Sequence, residues 1–168
     1  MSLSMYQASI PVFLRMFDNL SAILAKAQAH ATAKKIDLAV LANARLAPDM
    51  LPLIRQVQIA TDGAKGCAAR LAGVEVPSYA DNETTFDELQ ARIARTQDFL
   101  RGFQAAQVEG SETRTIHLSF PGRSLTLTGQ DYLLNFVLPN FYFHLTTAYA
   151  ILRHNGVEIG KMDFLGDV

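Results

Sequence analysis

His144 is set in the most apolar part of the chain. It lies within GQDYLLNFVLPNFYFHLTTAYAILRHNG, residues 129–156, and Asn140 precedes it by four positions. Four residues make one helical turn, so the two side chains leave the same face. An imidazole there can accept or donate a hydrogen bond or ligate a divalent metal, and an amide beside it can do both halves of a hydrogen-bond pair. A second set, Gln58, Asp62 and Lys65, follows at steps of four and three on the flank of another apolar stripe. The sequence thus predicts a small polar pocket where His144, Asn140, Gln58 and Lys65 converge, with Asp62 a turn further on. Two readings of that cluster stand side by side. In one, the polar groups satisfy one another and His144 is a core residue holding two helices together. In the other they meet a small-molecule ligand.

Other chemistries lack their signatures. No G-x-S-x-G elbow supports a serine hydrolase, and no Walker or Rossmann glycine loop supports a nucleotide site. The single Cys67 excludes an internal disulfide and fits a reducing compartment. No histidine stands at helical spacing from it, so a buried, inert thiol is expected.

The 168 residues predict a single domain, 1–168, and 49% hydrophobic content is enough for a sizeable core. Fifteen basic and 16 acidic residues leave a net charge of −1. That balance argues against nucleic acid or an anionic membrane as a partner. No apolar run is long enough to span a bilayer. The start, MSLSMYQAS, has neither a basic n-region nor an h-region, so a cytoplasmic location is expected.

Four long helices must position the candidate residues. Ile10, Phe13, Leu14, Phe17, Leu20, Leu24 and Ala27 recur at helical spacing and predict a first helix over Ser4–Lys34, with Pro11 in or near its first turn. A short connector, residues 37–46, follows. The second helix is predicted over Met50–Ala72, capped by Asp49 and striped by Leu53, Ile54, Val57, Thr61, Ala64, Ala68 and Leu71. Its second half is rich in Gly and Ala, which permits close approach of a neighbour. A loop over 74–84 leads to the capping box Thr85-Phe86-Asp87-Glu88 and a third helix running to Gln107.

The period then changes from helical to alternating. Arg114–Phe120 and Ser124–Thr128 each alternate apolar and polar residues around Pro121-Gly122, which predicts a β-hairpin. Thr128 caps the fourth helix, whose apolar face covers most of its circumference. Pro139 falls inside that helix. A kink is expected there, with the Asn135 carbonyl deprived of its partner and a pocket opening beside Asn140 and His144. The tail after Gly156 carries Ile159, Phe164 and Leu165 and is expected to pack back on the bundle.

The segments ARLAPDMLPLIRQVQIATDGAK, FDELQARIART, PNFYFHLTTAYAILRHNGVEIGK and the closing DFLG together resemble an uncharacterised bacterial branch, a domain of unknown function, within the DinB/YfiT-like superfamily. The resemblance implies a mainly α fold: a four-helix bundle with a β-hairpin inserted before the fourth helix. It also implies a metalloenzyme ancestry, with three histidines around a divalent ion, two on the fourth helix and one on the second. His144 matches the second histidine of the fourth-helix pair. Asn140 occupies the first position, and the second helix offers only Gln56 or Gln58 where the superfamily has its histidine. Amides are weak neutral ligands, so the site is expected to be metal-free. The alternative is a zinc- or nickel-dependent transferase-type enzyme with His144 as the remaining ligand. The resemblance further implies a homodimer.

Overall fold

The computed structural model describes residues 3–167, in which α1 (Ile10–Lys34), α3 (Leu53–Ala72), α4 (Phe86–Arg101) and α7 (Leu138–His154) are the long helices. Between α1 and α3 lies the short α2 (Leu38–Ala42). After α4 come α5 (Ala105–Val108) and the antiparallel strands β1 (Thr115–Phe120) and β2 (Arg123–Thr128). One turn, α6 (Gly129–Asp131), then leads into α7, and α8 (Lys161–Leu165) closes the chain. The mainly α bundle with a hairpin before its last long helix is the architecture the sequence predicts.

The two central helices are α3 and α7. They run antiparallel: Gln56 meets His144, Gly63 lies under Asn140, and Arg70 reaches Tyr132, so numbers rise along one as they fall along the other. Small residues on α3 (Ala60, Ala64, Cys67, Ala68, all fully buried) let the helices approach closely. Across the core, Phe13 and Phe17 of α1 meet Phe141 of α7 edge to face, with ring centroids 4.9 and 5.4 Å apart. That is the favoured geometry for aromatic pairs. Ile116 and Leu118 of β1 are buried against one end of the bundle, and Leu125 and Leu127 half-buried beside them.

Several boundaries differ from the sequence reading, each for a local reason. The first helix begins at Ile10 rather than Ser4, with residues 4–9 folded as a turn tied by the Ser9 hydroxyl donating to the Met5 carbonyl at 2.6 Å. The helix α3 begins at Leu53, not Met50. Pro52 is extended at the cap position, and a residue before proline is pushed out of the helical region, so Leu51 cannot extend the helix backward. Asp49 therefore caps nothing there. The third long helix stops at Arg101 instead of Gln107. Gly102 ends it, and Gln104 turns extended and starts α5, with its N–H held by Gln107 Oε1 at 2.7 Å.

The most informative difference is at Pro139. The chain does not kink a continuous α-helix. Tyr132–Val137 form a π-helical segment, in which Leu138 N–H donates to the Leu133 carbonyl five residues back. Pro139 then sits in the first turn of α7, where a missing N–H is best tolerated. Leu134, within this segment, faces outward. It is 46% exposed, although helical spacing places it on the broad apolar face.

The tail packs back as expected. Ile159 is buried, Phe164 meets Tyr149 edge to face, and Asn19 donates to the Phe164 carbonyl at 3.0 Å. Asp163 pairs with Lys26 of α1 and not with Lys161. No helix among the described residues is long and apolar enough to cross a membrane.

Candidate functional site

His144 is buried on α7, and its Nδ1 lies 2.7 Å from Gln56 Oε1 on α3. The amide at Gln56 is oriented by its other end, because Gln56 Nε2 donates to the Leu51 carbonyl at 2.8 Å. A carbonyl only accepts, so the NH2 must face Leu51 and the oxygen must face His144. Imidazole Nδ1 therefore carries the proton and donates, and Nε2 keeps its lone pair. Burial lowers the His144 pKa from the usual 6.5 by penalising the imidazolium, which keeps the ring neutral at pH 7. Ser111 Oγ is the only buried side-chain polar atom without a partner among the described residues. Since Nε2 makes no protein hydrogen bond, it reaches solvent.

Asn140 stands one turn earlier on α7, half-buried, with its Nδ2 3.8 Å from where a Cβ on Gly63 would lie. A Cβ at Gly63 would make only ordinary contact with this amide, which lies against α3. Phe143, adjacent to His144, packs perpendicular to the imidazole with ring centroids 5.2 Å apart and is largely exposed. The seam thus displays a lone pair, an amide and an aromatic wall within about two helical turns.

Gln58, Asp62 and Lys65 lie elsewhere. Successive helical residues rotate by about 100°, so Gln56 and Gln58 point to opposite sides of α3. Gln56 faces α7, and Gln58 faces α4 and the 73–85 loop. The expected convergence of Gln58 and Lys65 on His144 and Asn140 does not occur, and the second-helix partner of His144 is Gln56.

What gathers Gln58, Asp62 and Lys65 is Arg92 of α4, a residue the sequence reading passed over. Its guanidinium is almost wholly buried. Nε donates to Thr61 Oγ1 at 2.7 Å, Nη2 to Asp62 at 2.9 Å, and Nη1 to Glu83 at 3.0 Å and the Ala80 carbonyl at 3.1 Å, with Asp81 paired to Nη1 at 3.1 Å. Gln58 Nε2 donates to Glu83 at 2.7 Å, and Lys65 Nζ donates to the Pro77 carbonyl at 2.7 Å and pairs with Asp62. The Tyr79 ring sits between the cations of Lys65 and Arg95, at 3.9 and 4.0 Å. This network straps the loop across α3 and α4. Its signal in the sequence is a charged residue directly beside the apolar stripe Leu89-Ile93-Thr96, with Asp81 and Glu83 close upstream.

The three-histidine centre of the wider superfamily can be tested against this donor set. His144 is present. The Gln56 oxygen is spent on Nδ1, Asn140 is a neutral amide, and the carboxylate of Asp62 is drawn to Arg92 and Lys65. Among the described residues no three His, Cys, Asp or Glu side chains gather to hold a metal ion. These residues do not fit a three-histidine divalent centre. Cys67 adds no ligand: it is buried, and desolvation pushes its thiol well up.

Residues 5–165 match the family model described as a domain of unknown function, DUF1993. The chain is similar to a DinB family member protein from Shewanella denitrificans known from a crystal structure. The two share 48% identity, with a TM-score of 0.88 over 97% of this chain and 92% of that one. No curated protein matches. The chain belongs to the DUF1993 family, a branch of the DinB-like helical bundles.

Proposed function

We propose that this chain is a metal-independent binding protein that takes a small polar ligand at the α3–α7 seam, around His144 and Asn140. The observation that carries the reading is the bond between His144 Nδ1 and Gln56 Oε1 at 2.7 Å. It uses an amide of the helix on which the superfamily carries a metal ligand, and it leaves a neutral imidazole with one free, solvent-reaching nitrogen. Such a nitrogen beside an unpaired amide is suited to recognition by hydrogen bonding. Transfer chemistry of the superfamily type would instead need further anionic or imidazole ligands around the ion.

Metal analysis of tag-free protein, followed by zinc and nickel titration of wild type and His144→Ala, tests the proposal. The expected outcome is no stoichiometric metal and no metal-dependent rise in melting temperature that depends on His144. One equivalent of bound metal lost in His144→Ala would replace this reading with the divalent-metal transferase.

A further inference from the structure

We infer that Gln56 fixes the tautomer of His144 and so makes the seam a reader of hydrogen-bond donors on uncharged, amide-like ligands. The inference rests on the binding reading above and specifies its ligand class.

Three features support it. The chain Leu51 carbonyl, Gln56 amide, His144 Nδ1 runs in one direction only, because its first member cannot donate. Nε2 is therefore an obligate acceptor and selects a ligand N–H or O–H. Asn140, one turn away at a Cβ separation of about 5–6 Å, has both a donor and an acceptor with no protein partner among the described residues. A ligand that places a donor on His144 and exchanges bonds with Asn140 has the pattern of a carboxamide or a nucleobase edge. A carboxylate fails both tests: it has no donor for Nε2, and the neutral imidazole offers it no charge. Phe143, exposed and perpendicular to the imidazole, adds apolar surface beside the seam.

Gln56 acts through His144 and is a positioning residue, so its role is read on the histidine itself. Long-range proton–nitrogen correlation spectra of 15N-labelled, metal-free protein at neutral pH show which ring nitrogen is protonated. Wild type is expected to carry the proton on Nδ1 with an unprotonated Nε2. Gln56→Leu removes the acceptor, and the proton is expected to move in part or whole to Nε2. Gln56→Glu restores an acceptor and is expected to keep the proton on Nδ1. Should Gln56→Leu fail to fold, the position of the proton in wild type and in Gln56→Glu carries the test. Benzamide then serves as the ligand probe and benzoate as its donor-free control. Benzamide is expected to perturb His144 and Asn140 in wild type. Benzoate is expected not to bind.

Nε2-protonated wild type, or Nε2-protonated Gln56→Glu, would overturn the tautomer assignment. Benzoate binding as tightly as benzamide would overturn the ligand class. Both outcomes are separate from failure of the metal-free reading, which appears as stoichiometric metal before any probe is added.

Discussion

Burial penalises the imidazolium form of His144, and the consequence is a pH dependence of stability. A base whose folded pKa lies below 6.5 binds fewer protons folded than unfolded. Its contribution to stability is complete above 6.5 and drains away as pH falls toward the folded value. The stability of wild type relative to His144→Phe is therefore expected to fall as pH drops below 6.5, as measured by thermal melting of both proteins. A difference independent of pH would mean that His144 titrates alike folded and unfolded. At this scale the sequence was partly legible. The apolar run marked His144 as buried, and the four-residue step placed Asn140 on its face. The partner was not legible, because choosing between Gln56 and Gln58 requires the rotational phase of α3 relative to α7. Phase depends on where the helix starts, and Pro52 sets that start later than the Asp49 signal suggested.

Among elements, the 73–85 loop has no secondary structure of its own yet is held across α3 and α4 by Arg92. Removing a buried cation strands the carboxylates it neutralised. Arg92→Met is expected to cost about 3 kcal/mol, the low end for a buried ion pair, since Asp62 and Asp81 keep 41% and 36% of their side-chain surface in water. Denaturant melts measure that loss, and hydrogen exchange should show protection falling first in residues 74–85. Unchanged exchange there would mean that the loop is held by Tyr79 and Lys65 instead. Asp81 itself feels burial, which raises its pKa, but its bond to Arg55 and the charges of Arg92 and Arg55 outweigh that and hold it below 3.8. Its share of the strap is thus present above 3.8 and lost as pH falls through the folded value. The capping box was legible, with Thr85 and Glu88 forming it as their spacing predicts, and Gly122 takes the positive φ the hairpin turn requires; the Asp49 cap failed because Pro52 starts α3 later. The network around Arg92 was not, because its partners are scattered across α3, α4 and the loop, and no local period joins them.

For the molecule as a whole, seams of different character hold the bundle. The α3–α7 seam is close and mostly apolar, broken by the Gln56–His144 and Arg70–Tyr132 hydrogen bonds. The α1–α4 seam is threaded with side-chain hydrogen bonds, Asp18 to Gln97, Ser21 to Gln90 and Gln28 to Asp87. The ring of Phe141 ties α7 to α1 through both Phe13 and Phe17. Phe141→Ala is expected to lower unfolding free energy by about 3–5 kcal/mol with little change in helix content, read by equilibrium denaturation and circular dichroism. A loss below 1 kcal/mol would mean that the aromatic cluster collapses to fill the space. The bundle was legible because four stripes of period 3.6 and one alternating pair leave few ways to bury every apolar face.

The π-helical segment at 132–137 and Pro139 are best viewed as one historical unit. A wide turn of this kind amounts to one residue more than a regular helix would hold. Deleting a residue there, such as the exposed Leu134, would leave His144 and everything after it in register against α3. It would also place Pro139 within an uninterrupted α-helix, where proline costs about 3 kcal/mol. Replacing Pro139 alone would relieve no strain while the wide turn persists. Chain length at this point and the identity of residue 139 are therefore coupled. Relatives one residue shorter in this segment should lack the proline as well.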